Sequence, residues 1–149
     1  MNTKTKFDLI DKAAEYGVVP ALTPQDAYEL LNSMPNAMLI DVRTKAELDW
    51  VGKPVLNNNQ YMHIEWLFYP GSAQNPDFLK ILNTIPKNTP LVFLCRSGIR
   101  SKMAVREALD NGFEVAIDIL GGFEGQRNNK GHRKNIDGWC HFGLPWSGA

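Results

Sequence analysis

The sequence predicts an α/β domain: a central, mostly parallel sheet with helices on both faces. Short, largely apolar runs at Ala37–Val42, Leu91–Leu94 and Val115–Leu120 read as strands buried on both sides. Stretches with helix start and stop signals alternate with them, which is the pattern of a layered α/β fold. No internal repeat or domain-separating linker interrupts the 149 residues, a length that buries roughly 70% of the unfolded surface in one domain.

The elements follow in order. Phe7–Tyr16 has an amphipathic helical pattern ending at Gly17, and residues 1–21 read as a helical extension to a domain over 22–149. A second helix starts with Thr23 as N-cap, Pro24 in the first turn and Asp26 near the dipole's positive end; Ala27, Leu30 and Leu31 share its apolar face. After the Ala37–Val42 strand, Thr44-x-x-Glu47 has the form of a capping box opening a short helix to about Val51. Gly52–Gln60, with Pro54 and three successive asparagines, reads as a loop, and Tyr61–Ile64 as a weak strand. A helix is expected from Asn75-Pro76 through Ile85, stopped by Pro86. Another runs from Ser101 to about Asn111, with Gly112 in the C′ position. Beyond Gly121-Gly122 the periodicity dissolves until aromatic residues return at Trp139–Trp146.

Composition removes several classes of function. Hydrophobic residues make up 44% and charged residues 21%, ordinary for a globular chain. Sixteen basic residues balance 16 acidic ones, so no overall field favours nucleic acid or an anionic membrane, and anion recognition has to be local. The start of the chain has no continuous apolar core of a signal peptide, and nothing approaches the roughly 18 apolar residues of a membrane span. Cytoplasmic residence is the expectation. Cys95 and Cys140 do not make a disulfide framework, and His63, His132 and His141 lack zinc-like spacing, so no metal or cofactor is expected.

The chemistry concentrates in LVFLCRSGIRS, Leu91–Ser101. In open α/β sheets, ligands bind outside the carboxyl ends of the strands, and Cys95 lies at such an end. Arg96, Ser97, Gly98, Ile99 and Arg100 lead into a helix N-terminus at Ser101, where successive backbone N–H groups can form a concave anion nest. Gly98 frees the backbone to curl. Arg96 and Arg100 add positive charge, and each of these features favours thiolate over thiol. A buried structural cysteine is the plainer reading, but such a residue has no use for two flanking arginines.

The CRSGIRS stretch resembles the active-site loop of rhodanese-like sulfurtransferases. Ile40-Asp41-Val42-Arg43 followed by Glu47 resembles the family's upstream signature. Gly121-Gly122-Phe123 and Gly143-Leu144-Pro145-Trp146 are similar to further recurrent features, so the likeness spans residues 22–146. It implies a single rhodanese-like domain in which Cys95 takes a sulfane sulfur as a persulfide and passes it on. The donor would be a small sulfur-containing anion such as thiosulfate, and the acceptor a thiol, cyanide or a protein. Asp41, Arg43 and Glu47 would then support the site.

Two other classes stay open on the residues. The strand–loop–helix arrangement also serves cysteine-dependent phosphatases and arsenate reductase-like enzymes, but these place one residue more between cysteine and arginine than the four separating Cys95 from Arg100. The shorter nest suits one sulfur atom better than a tetrahedral oxyanion. A non-catalytic binding module of the same fold is the other class, against which the presence of Cys95 counts.

Several residues have plainer readings. Arg43 and Glu47 are spaced to form a local i, i+4 ion pair stapling the turn. Trp66, Phe68 and Phe123 can flank an entrance, but core packing is the expectation. Cys140 can in principle resolve a persulfide on Cys95 as a disulfide, though no spacing brings the two together. Arg127–Lys134 reads as a solvated loop before it reads as a dock for an acidic partner.

Overall fold

A computed structural model describes residues 9–13, 19–57 and 59–148. Residues 9–13 are helical, with Leu9 and Ala13 buried; the remainder of the expected first helix lies outside the described residues. The elements that follow are β1 (Ala21–Leu22), α1 (Pro24–Ser33), β2 (Met38–Asp41), α2 (Lys45–Val51), β3 (Lys53–Pro54), β4 (Tyr61–His63), α3 (Phe78–Leu82), β5 (Leu91–Leu94), α4 (Arg100–Asp110), β6 (Ala116–Ile119) and β7 (Trp146–Ser147). Five strands form one parallel sheet in the order β1-β6-β5-β2-β4, and β3 pairs antiparallel with β7 in a separate ribbon. This is the α/β architecture the apolar runs predict.

The strand residues divide by parity between two cores. Leu91, Phe93 and Cys95 join Ile40, Phe78, Leu82, Ala104 and Val105 on the face covered by α3 and α4. Val92 and Leu94 join Leu39, Leu30, Leu31 and Ile117 on the face covered by α1 and residues 9–13. Each large side chain so buried stabilises the fold by about 1.5–3 kcal/mol, before the entropy of ordering it is counted. No helix of the described residues is long and apolar enough to cross a membrane.

Local signals place the helices. Thr23 Oγ1 accepts from Asp26 N at 3.2 Å, and Pro24 occupies the first turn of α1. Thr44 and Glu47 form the reciprocal capping box of α2. Three elements differ from expectation. The helix after Asn75-Pro76 is shorter, because Asn75 spends its side chain on Asp77 N and Glu65 O in a turn, and Thr84 Oγ1 ties back to Ile81 O beyond the helix end. The loop after Gly52 contains β3, held by backbone pairing to the distant β7. Ala21–Leu22 is a strand because Pro20 O accepts from Asp118 N on β6 and Leu22 O from Leu120 N just beyond it.

Candidate active site at the carboxyl edge of the sheet

β2, β5 and β6 are adjacent and parallel, so the chain leaves all three at one edge. Cys95 follows β5, Arg43 follows β2, and 121–125 follow β6. Cys95 is 1% exposed. Gly98 has φ of 108°, a conformation that L side chains rarely adopt, and its N–H donates to Cys95 Sγ at 3.0 Å. α4 begins at Arg100 without a side-chain cap, so its first-turn N–H groups open toward the loop.

The segment after β6 forms the opposite side of the loop. Phe123 N donates to Cys95 O at 2.8 Å, and Glu124 N and Gly125 N donate to Arg96 O at 2.9 and 3.2 Å. Gly122 allows this approach: at φ of 64°, a Cβ there would sit 2.4 Å from Cys95 O. Two carbonyls of the cysteine loop are thereby tied to the neighbouring segment rather than turned on the sulfur.

The loop arginines do not supply a bare positive field. Arg100 makes a bidentate pair with Glu47 at 2.7 and 2.9 Å, and Arg96 Nε lies 3.2 Å from Glu124 Oε2 in an ion pair without hydrogen-bond geometry. Lys102 Nζ is 2.8 Å from Asp118 Oδ2. Each cation around the loop has a carboxylate partner, which offsets the cost of taking it partly out of water. Burial raises the Glu47 carboxyl, but hydrogen bonding and charge from Arg100 outweigh it and hold the group below its ordinary value. Arg96, half exposed and loosely held, is the cation best placed to meet an anion.

The expected Arg43–Glu47 staple is not formed. Arg43 turns inward, fully buried, to make a bidentate pair with Asp41 at 2.9 and 2.7 Å, a bond to Gly52 O at 2.9 Å and a stack on the Phe123 ring at 4.3 Å. Tyr61 Oη donates to the same Asp41 carboxylate at 2.8 Å. Glu47 is thereby left for Arg100. Of the three upstream residues, Glu47 touches the cysteine loop, while Asp41 and Arg43 join β2 to Gly52 and to the ring of Phe123. His63 Nε2 lies 2.6 Å from Arg43 O, a hydrogen-bonded position beside the same pair.

Above the loop lies a cleft of about 400 Å³ whose charged side is formed by Arg96, Arg100, Glu47 and Glu124. Its other wall is apolar: Trp50, Leu67, Phe68 and Tyr69. Trp50 and Tyr69 meet edge to face at 5.6 Å and are 70% and 61% exposed. Phe68 is thus a wall residue and not core, whereas Trp66 packs on Phe78 and Phe123 is fully buried. Arg133 and Lys134 are not merely solvated, since Arg133 Nη1 donates to Gly125 O at 2.7 Å and Lys134 N to Glu124 O at 2.7 Å. Cys140 is half-buried, and burial pushes its thiol up to about 11.

Reading the residues alone missed Glu124, Lys102 and Asp118. Only Asp118 left a usable trace, as an acid inside the otherwise apolar run Val115–Leu120. Ser101 Oγ stands 3.2 Å from Cys95 Sγ and donates to Asp118 Oδ1.

A parallel sheet with a buried cysteine cradled at its carboxyl edge defines an α/β protein whose candidate site is built around that cysteine. The sequence profile of the rhodanese-like domain matches residues 23–129, and the chain belongs to that family. A crystal structure of Rv0390 from M. tuberculosis is 40% identical, covering 85% of this chain and 96% of that one, with a TM-score of 0.79. A polysulfide-sulfur transferase homodimer from Wolinella succinogenes is 26% identical over 97% of this chain and 87% of its own, with a TM-score of 0.63. Among curated relatives, an uncharacterized Rickettsia rickettsii protein is 37% identical over 80% of this chain and 90% of its own length. Thiosulfate sulfurtransferase GlpE of Haemophilus influenzae is 24% identical over 83% of this chain and 90% of its own length.

Proposed function

We propose that the protein is a sulfurtransferase in which Cys95 is the nucleophile and carries sulfane sulfur as a persulfide. The observation that carries the reading is the Gly98 N–H directed at Cys95 Sγ at 3.0 Å, within a loop of four residues between Cys95 and Arg100. An N–H nest of that size suits a terminal persulfide sulfur, which is an anion. The Cys95 thiolate attacks the outer sulfur of a donor such as thiosulfate, forming Cys–S–S⁻ as the donor's own S–S bond breaks and sulfite leaves with its electron pair. A thiol, cyanide or a protein thiolate then takes the outer sulfur and releases the Cys95 thiolate. The Wolinella relative is a polysulfide-sulfur transferase, which adds polysulfide as a donor of the same chemistry.

In this reading the backbone from Arg96 to Ser101 forms the nest, Arg96 meets the donor's charge, and Glu47 fixes Arg100 beside the loop. Asp41 and Arg43 support the site from below. Residues 22–149 carry the activity, with 1–21 as an extension. No cofactor or metal enters the reaction. A reducing compartment such as the cytoplasm suits a cysteine that exchanges sulfur with thiols.

The test is direct. Incubation with thiosulfate should add the mass of one sulfur to the peptide containing Cys95, and cyanide should remove it as thiocyanate. Cys95→Ser should do neither. An unloaded Cys95, or full transfer by the serine variant, overturns the reading. Cys95-dependent hydrolysis of an aryl phosphate in its place would make the protein a phosphatase.

A further inference from the structure

Cys95, Ser101 and Asp118 form a buried chain: Cys95 is 1% exposed, and Ser101 and Asp118 are fully buried. Ser101 Oγ is 3.2 Å from Cys95 Sγ and donates to Asp118 Oδ1 at 2.5 Å. Lys102 Nζ holds Asp118 Oδ2 at 2.8 Å and also donates to Gly98 O at 2.8 Å. Lys102 is about half exposed, so the chain runs from the sulfur to solvent. We propose that Ser101 and Asp118 are a proton relay that takes the Cys95 thiol proton when sulfur is loaded and returns one when sulfur leaves.

The direction of the hydrogen bonds supports this. A carboxylate only accepts, so the single hydroxyl hydrogen of Ser101 is spent on Asp118. The contact between Ser101 Oγ and Cys95 Sγ then uses the thiol hydrogen. When Cys95 carries its proton, that proton points down the relay. Loading converts Cys95–SH and Asp118–COO⁻ into Cys95–S⁻ and Asp118–COOH, as Ser101 accepts from sulfur and passes its own proton to Oδ1. The thiolate then attacks the donor as described above. On unloading, the bond between Cys95 and the outer sulfur breaks, leaving a thiolate that recovers the proton through Ser101.

Nothing in the sheet calls for a carboxylate at this position. Asp118 sits in β6 between Ile117 and Ile119, and its register partners on β1 and β5 are Ala21 and Phe93. The charged and polar groups facing it are Lys102 and Ser101 from α4, with Cys95 reached through Ser101. Desolvation raises the Asp118 carboxyl above its ordinary value even against Lys102 and Ser101, which suits a group that takes up a proton. Proton transfer also relieves the site, because the new thiolate faces a neutral acid rather than a carboxylate while the total charge stays constant. Asp118 acts through Ser101 and is a positioning residue, whereas Ser101 touches the reacting sulfur.

This deepens the sulfur-transfer reading and rests on it for the direction of each step, but its test needs no sulfur donor. The rate of iodoacetamide alkylation is read on the Cys95 peptide across pH for the wild type, Asp118→Asn, Ser101→Ala and Ser101→Thr. A coupled pair sharing one proton keeps a fraction of thiolate that does not change with pH between its two titration steps. The wild type should therefore show an acid plateau in rate. Asp118→Asn and Ser101→Ala should lose it and keep falling, roughly tenfold for each pH unit, through the acid range where the wild type is flat. Ser101→Thr, which keeps the hydroxyl, should restore it. Asp118→Asn curves that superimpose on the wild type would overturn the relay. So would curves of unchanged shape displaced to lower pH, since they would make Asp118 a fixed charge only. If Asp118→Asn does not fold, Ser101→Ala, which leaves the Asp118–Lys102 pair intact, decides alone. A plateau in a protein that never takes up sulfur would keep the relay and overturn the transfer reading.

Discussion

Arg100 and Glu47, 53 residues apart in sequence, close on one another through two parallel hydrogen bonds of 2.7 and 2.9 Å. The pair joins the first turn of α2 to the first residue of α4, and so joins the apolar wall of the cleft to the cysteine loop. Glu47→Gln preserves the capping-box acceptor for Thr44 but removes the charge. Because both partners are about four-fifths buried, the expected loss is about 1–3 kcal/mol, measured as a lower urea midpoint. Persulfide loading of the folded variant should fall with it.

The same carboxyl sets a pH dependence. Its folded value lies below the ordinary 4.5, so its contribution to stability is fully present above that value and is lost as pH falls through the depressed one. Urea midpoints taken at descending pH should converge for the wild type and Glu47→Gln on the acid side. A constant gap between the two curves would remove Glu47 as a source of acid sensitivity.

Asp41→Asn should be more severe. It leaves the fully buried Arg43 guanidinium without its bidentate counter-ion, a change that costs about 3–5 kcal/mol when one partner of a buried pair is removed. Thermal melting of the variant measures it. A small shift in melting temperature would show that Gly52 O and the Phe123 ring suffice for Arg43.

Two glycines separate space from backbone conformation. Gly112 has φ of 92° with open space where a Cβ would go, so Gly112→Ala should cost only the left-handed conformation, about 1–2 kcal/mol. Gly122→Ala adds a clash with Cys95 O and the Arg96 carbonyl, and should cost about 2–5 kcal/mol. Only the second should also slow alkylation or persulfide loading of Cys95, because only it displaces the loop.

Trp50→Ala and Tyr69→Ala test the apolar wall. Both side chains are largely exposed, so stability should change by no more than about 0.5 kcal/mol. KM should rise for thiol acceptors with an apolar body and stay unchanged for cyanide, which is too small to touch the wall. Equal effects on both acceptors would count against the wall as an acceptor surface.

Much of this was legible in the sequence, for identifiable reasons. Four consecutive apolar residues at Leu91–Leu94 make a buried strand readable, and a cysteine, two arginines and a glycine beyond it make a loop readable. The cap of α1 and the box of α2 are equally local, since each residue's partner lies three positions away. What stayed hidden depends on distant partners. The i, i+4 spacing of Arg43 and Glu47 fits a staple, yet each has a better partner elsewhere: Asp41 in the interior and Arg100 in the loop. β1 and β3 have two residues each and exist only through pairing with β6 and β7. Asp118 was visible only as a polar residue in an apolar run. Its meaning came from α4 lying over it.

β5 sets the phase of the whole device. Along its length the side chains alternate between the two cores, and Cys95 continues the beat of Leu91 and Phe93. Asp118, two residues after Ala116 on β6, keeps step with them toward α4. A single residue inserted or deleted within Leu91–Leu94 would therefore do more than disturb packing. It would turn the sulfur to the other side of the sheet, away from Ser101 and the helix that completes the loop. Diversity in such a protein can accumulate by exchange of side chains along this strand, but a change of one residue in its length is closed to it.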